Sequence, residues 1–204
     1  MKNIVVLISG RGSNLRAIVQ ACADENWPAR VAGVVADRSG AAGLAVAREH
    51  RIASAVVDLA AGVSRDAWCD ELARVVDGFA PDLVVLAGFM RILSPSFVQH
   101  FEGRLINVHP SLLPAFPGLH THRRAIEAGC TVAGATVHFV TEGLDAGPVI
   151  AQATVPVLPG DDAETLAARV LEREHVLLPQ ALAALVHGRL RLEGGRVVQV
   201  PRPV

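Results

Sequence analysis

The sequence predicts an α/β protein: a doubly wound, mostly parallel sheet with an antiparallel extension in its C-terminal half. Three observations carry that prediction. Short β-branched runs alternate with helical stretches through the first half of the chain. Those runs are continuously apolar rather than alternating, as strands covered on both faces by crossover helices must be. Past Ser94 the alternation loosens, and two longer strand-like runs follow one another closely enough to pair antiparallel.

The elements follow in order. Asn3–Ile8 (NIVVLI) is a buried strand, followed by a Gly/Ser turn and a helix from about Ser13 to Ala23. Val31–Ala36 reads as the next strand, Ala41–His50 as a helix and Ala53–Val57 as a short strand. Ser64–Phe79 is a longer helix with Trp68, Leu72, Val75 and Val76 on one face, and Pro81 ends it. Leu83–Ala87 is again a buried strand, and this alternation implies right-handed βαβ crossovers. Arg104–Val108 is a strand that enters a proline-rich loop from Pro110 to Pro117. Thr131–Val140 and Pro148–Val157 are the antiparallel candidates, and Ala163–Val186 is a long helix. The ending reads as a hairpin around Gly194-Gly195. With no repeat, low-complexity tract or clear linker, a single domain over 1–204 is expected.

Composition narrows the function. Hydrophobic residues are 51% and charged residues 19% of the 204, enough to bury a core. Lys+Arg 19 against Asp+Glu 20 gives a net charge of -1, so no broad basic field favours nucleic acid. Three scattered cysteines (Cys22, Cys69, Cys130) with no CxxC pair argue against disulfides and structural zinc. The N-terminal apolar run Ile4–Ile8 is too short for a signal peptide, and no stretch reaches the ~20 residues of a membrane span. A cytoplasmic protein with no membrane partner is expected. The oligomeric state stays open between a monomer and a homodimer, since an apolar helix face packs equally well on its own chain or a second copy.

Ser9-Gly10-Arg11-Gly12-Ser13-Asn14 lies between a buried strand and a helix start. Glycines there let backbone N–H groups approach an anion at the positive end of the helix. The pattern is neither GxGxxG nor a P-loop with its lysine, so it suits a single phosphate monoester. The alternative is a tight turn with Ser13 or Asn14 as N-cap. No acidic residue ends the second strand as a ribose ligand unless Asp37 serves, which weighs against a nicotinamide dehydrogenase.

Asn107, His109 and Ser111 alternate at the end of a predicted strand, where chemistry gathers in open α/β sheets. Asn107 and His109 project to one side, an amide donor beside an imidazole, suited to holding an oxyanion and relaying a proton. The alternative is a histidine that caps the following turn. Asp145 lies in a Gly/Pro-framed loop and is either a turn former or, on reaching His109, the group that orients its ring. His120 and His122 lack a carboxylate or thiol companion, so they read as surface loop histidines rather than metal ligands.

Four segments, Val5–Leu15, Gly88–Ser94 (GFMRILS), Ile106–His122 (INVHPSLLPAFPGLHTH) and Gly134–Ile150 (GATVHFVTEGLDAGPVI), closely resemble phosphoribosylglycinamide formyltransferases. These are folate-dependent formyltransferases with a Rossmann-like fold, and the likeness covers nearly the whole chain. The resemblance implies a catalytic set of Asn107, His109 and Asp145, and a substrate phosphate on Gly12, Ser13 and Asn14. It implies a pterin pocket of Met90, Arg91, Ile92 and Leu93, largely through backbone, joined by Asn107, Val140 and the Asp145 loop. Arg65 would meet the folate's acidic tail, Glu174 the ribose hydroxyls of the substrate, and Gly118 the substrate itself. It also suggests a cis bond between Leu113 and Pro114. Ala115 departs from the pattern, standing where many members carry a basic residue.

The implied reaction moves a formyl group from 10-formyltetrahydrofolate, a co-substrate, to the amine of glycinamide ribonucleotide, with no metal required. The amine attacks directly, with no covalent enzyme intermediate, and Asn107 and His109 stabilise the tetrahedral oxyanion. A formylfolate hydrolase would want an N-terminal domain and a methionyl-tRNA formyltransferase a basic C-terminal one; this length is expected to leave room for neither. A nucleotide-binding regulatory module would use the glycine loop but not Asn107, His109 and Asp145 together.

Overall fold

The computed structural model describes residues 1–200, so the last positions of the expected domain, 201–204, lie outside the described residues. By compactness the chain divides into two units, Met1–Ile106 and from Asn107 on. The first unit holds β1 (Lys2–Ile8), α1 (Ser13–Asp24), β2 (Ala29–Ala36), α2 (Gly43–Glu49), β3 (Ser54–Val56), α3 (Arg65–Asp77), β4 (Leu83–Leu86) and α4 (Pro95–His100). The division falls within β5 (Leu105–His109). The second unit continues with α5 (Thr121–Glu127), β6 (Val132–Phe139), β7 (Val149–Pro156), α6 (Ala163–Val186), β8 (Leu190–Glu193) and β9 (Arg196–Gln199). Seven strands form a sheet in the order β3-β2-β1-β4-β5-β6-β7, and β8 pairs with β9 apart from it. The pairs β1–β2, β1–β4 and β2–β3 are parallel, while β6–β7 and β8–β9 are antiparallel. This is the expected α/β sheet with its antiparallel extension.

In the first unit the apolar runs are buried as their continuity requires. Ile4 through Ile8 and the pair Val84–Val85 are all 0% exposed. Helix α3 is capped by Ser64, whose hydroxyl accepts from the Ala67 N–H, and buries Trp68, Cys69, Leu72 and Val76. Val75, expected on the same face, is only half-buried. Trp68 donates its indole N–H to the Val57 carbonyl, which satisfies the one polar atom of a buried ring.

In the second unit α6 packs on β6 and β7 and buries Leu166, Val170, Leu178 and Leu182. Its start is fixed by a reciprocal box in which Asp162 and Thr165 each cap the other's backbone N–H. The register of β6 on β7 shifts between Val137 and His138, and such an irregularity re-aims the side chains at it. The short helices α4 and α5 do not stand out in the sequence, because six or seven residues hold too few turns to display a 3.6 period. Ser94 as N-cap with Pro95 at the first position is the local signal for α4. Among the described residues no helix is long and apolar enough to cross a membrane.

Candidate active site

Within the second unit β5 ends on Asn107-Val108-His109, and its alternation sets Asn107 and His109 on one side as expected. His109 is 5% exposed. Its Nε2 lies 3.0 Å from the Phe116 carbonyl oxygen, and a carbonyl only accepts, so this nitrogen carries the hydrogen. The other ring nitrogen, Nδ1, faces Asp145 Oδ2 at 3.4 Å. Sequence alone could not place Asp145 beside His109; the fold brings them together.

What carries Asp145 there is the Phe139–Pro148 loop. Phe139 N–H donates to Pro148 O and closes the loop's neck. At that neck the Phe139 carbonyl oxygen occupies the space where a Cβ on Gly147 would sit, so only glycine lets the chain return so tightly. The Gly118 N–H then donates to Asp145 Oδ2 at 2.8 Å. Gly118, expected against the substrate, ties the proline-rich loop to the carboxylate.

His138 belongs to this cluster and is absent from the residues the sequence suggested. It is 2% exposed. Its Nδ1 lies 2.9 Å from the Phe139 carbonyl oxygen, which makes Nδ1 the donor and leaves Nε2 a lone pair in the neutral ring. Nε2 accepts from Asn107 Nδ2 at 3.2 Å and stands 3.8 Å from Asp145 Oδ1. Burial, the largest influence, holds this imidazole below its ordinary pKa, with His109 acting in the same sense; the Phe139 carbonyl and Asp145 oppose them. The result is a continuous polar line, Asn107–His138–Asp145–His109. The sequence signal for His138 was a titratable residue in a largely apolar strand.

The loop after His109 is anchored by a second buried polar group. Thr136, fully buried on β6, donates to the Ser111 carbonyl at 2.6 Å and accepts from the Leu113 N–H at 3.0 Å and from Gln152 at 2.9 Å. Leu113–Pro114 is cis, as the resemblance suggests. Ser111 is the expected turn residue, donating to Ala115 O, and Ala115 itself is exposed. His122 departs from expectation: it lies on α5 with its Nε2 buried, because α5 turns that side chain inward, while His120 is exposed. Val140 is half-buried just past β6, and Glu174 is buried on α6.

In the first unit Gly12 sits at the cap position of α1 with φ 77, and no side chain caps that end. Ser13 and Asn14 are thus the first residues of the helix rather than its N-cap. A Cβ on Gly12 would meet the Cα of Gly43, whose N–H donates to Gly10 O at 2.9 Å. The loop is pressed backbone to backbone onto α2, and the N–H groups of the first turn of α1 have no partner within the helix.

The segment after β4 is held by two side chains. Ser9 accepts from the Met90 N–H at 2.8 Å, and Asp37 Oδ2 pairs with Arg91 Nε at 2.8 Å. Burial alone would raise the Asp37 carboxyl, but hydrogen bonds from Arg38 and Arg91 carry it below its usual value. Asp37 is fully buried and committed to these arginines, so it is not a ribose ligand. With the backbone so fixed, Met90 and Ile92 stand 65% and 68% exposed, Leu93 is half-buried, and Arg65 at the start of α3 is exposed beside Asp66.

Residues 2–182 match the Formyl transferase family. The chain belongs to that family. It is 52% identical to Phosphoribosylglycinamide formyltransferase of Escherichia coli strain K12 over 93% of this chain and 90% of that protein. It is 42% identical to the Trifunctional purine biosynthetic protein adenosine-3 of Homo sapiens, matched over 97% of this chain but only 20% of that protein. The crystal structure of glycinamide ribonucleotide transformylase 1 from Symbiobacterium toebii superposes with a TM-score of 0.94 at 48% identity, covering 98% of this chain and 95% of that one.

Proposed function

We propose that this formyl transferase moves the formyl group of 10-formyltetrahydrofolate to the amine of glycinamide ribonucleotide in de novo purine biosynthesis. The products are formylglycinamide ribonucleotide and tetrahydrofolate, and the setting is the cytoplasm. The observation that carries the reading is the approach of Asp145 to His109 at 3.4 Å, with Asn107 on the same side of the strand. Identity to the Escherichia coli formyltransferase along most of both chains supports the choice of substrates.

The substrate amine attacks the formyl carbon, and the carbonyl electrons move to its oxygen. One Nδ2 hydrogen of Asn107 is engaged by His138, which fixes the amide and leaves the other to donate to that oxyanion. The His109 ring adds positive charge beside it, oriented by Asp145 on one nitrogen and the Phe116 carbonyl on the other. The attacking nitrogen loses its proton toward Asp145, directly or through water, and the leaving folate nitrogen gains one as its bond to carbon breaks. The backbone of Gly12, Ser13 and Asn14 holds the ribonucleotide phosphate, with Glu174 on the ribose and Gly118 against the substrate. Met90, Arg91, Ile92, Leu93 and Val140 receive the pterin, and Arg65 receives the folate tail. Each of the two small molecules thus has its own holders.

The test is a spectrophotometric assay of purified protein with the formyl folate, with and without glycinamide ribonucleotide. Absorbance change only with both substrates is expected, and Asn107→Ala should lower turnover ~10²–10³-fold, the usual loss of one oxyanion donor. Turnover without the ribonucleotide would make the chain a hydrolase instead. Near-normal turnover in Asn107→Ala would remove that residue from the mechanism.

A further inference from the structure

The second unit contains a cavity of about 110 Å³ that the formyl-transfer reading leaves unused. Leu112, Phe116, Ala125, Cys130 and Val132 line it with mostly apolar surface, and His122, Ser111 and Thr121 are its polar neighbours. His122 Nε2 is buried and has no hydrogen-bond partner among the described residues. Burial, with a smaller contribution from His109, holds the His122 ring below its ordinary pKa. A buried polar atom without a partner is costly, and His122 lines a mostly apolar space.

We propose that this cavity binds a single aromatic ring bearing one hydroxyl, and that its occupancy is felt at His109. Size sets the upper limit: an apolar cavity of ~150 Å³ accepts benzene, so this smaller one, with half-exposed Val132 in its wall, has room for at most one ring and not a fused pair. The same limit sets it apart from a pterin or purine site. Chemistry sets the hydroxyl, which can donate to or accept from His122 Nε2 whichever tautomer is present. The link to His109 is Phe116. Its side chain lines the cavity, and its carbonyl is the partner of His109 Nε2 at 3.0 Å. An occupant resting on Phe116 holds that carbonyl on the ring N–H and restrains the imidazole. The binding stands apart from the proposed reaction, whereas the coupling rests on the role given to His109.

Phenol is the probe, and Cys130, half-buried in the cavity wall, is the reporter. Iodoacetamide labelling, read peptide by peptide, should slow several-fold at Cys130 and saturate with phenol while Cys22 labelling stays constant. Benzene at equal concentration should protect less, and phenol's protection should vanish in Ala125→Leu and in Val132→Phe; the latter alters a residue 48% exposed, where a larger chain is tolerated. Equal slowing at both cysteines, no slowing, or benzene protecting as well as phenol would overturn the site. Saturating phenol should change kcat at least twofold in the unmodified chain and leave that of Val132→Phe unaffected; unchanged kcat would overturn the coupling. A chain with no formyl transfer at all would count against the reaction, and the labelling would still decide the cavity.

Discussion

His138 shows how much one residue can hold in place. Its Nδ1 is spent on a backbone carbonyl and its Nε2 on Asn107, so a neutral ring here fixes the amide that the proposed mechanism uses. Protonation would turn Nε2 into a donor and remove the acceptor for Asn107. The ring is buried and its pKa lies below the ordinary 6.5, as does that of His122. Between the folded and unfolded values the unfolded chain binds more protons, so stability is full above the unfolded value and falls as pH drops below it. Melting temperature should therefore decline between about pH 7 and about pH 5, a range above the ordinary carboxylate pKa values. His138→Gln should flatten that decline; an unchanged slope would show that this ring is not its source. Asn107 and His109 were legible in the sequence because alternation on a strand is local. His138 was not, because its importance lies in a contact across thirty-one residues of chain.

The connection from β5 to α5 is positioned by strands that follow it in sequence. Thr136 and Gln152 reach back from β6 and β7 to the Ser111 and Leu113 backbone, which would otherwise have buried groups without partners. Thr136→Val keeps the shape and removes the hydroxyl. It should cost ~1–3 kcal/mol, the usual penalty for stranding a buried polar group. Chemical denaturation would measure the loss, and a change below a few tenths of that would mean the loop finds other partners. The long elements, β1 and α6 above all, were readable from their own residues through a buried β-branched run and a capped apolar helix. The short helices α4 and α5 were not, since neither is long enough to display a period; Ser94 caps α4, and no side chain caps α5.

Over the whole chain the two units divide the proposed work. Met1–Ile106 contains the glycine loop and the segment pinned by Ser9 and Asp37, while Asn107 onward contains the polar line that ends on His109. Kinetic constants should separate accordingly. Substituting alanine at Gly12, where φ is 77 and the backbone of Gly43 is in contact, should raise the ribonucleotide KM. Loss of one charge-assisted phosphate hydrogen bond, ~1.5–3 kcal/mol, corresponds to roughly 10–100-fold in KM. Asp145→Asn should instead lower kcat with KM little changed. Equal effects on both constants in both variants would dissolve that division.

The Asp145 backbone adds a consequence for how this chain tolerates mutation. Its φ is 50, a left-handed conformation that Asp, Asn and Gly enter readily and β-branched residues enter at a cost. Replacements that fit the main chain are therefore the ones that delete the carboxylate. Random change at this position should yield folded, inert copies through Asn or Gly and poorly folded ones through Val or Ile. A library sorted first for solubility and then for growth without purines would display that split.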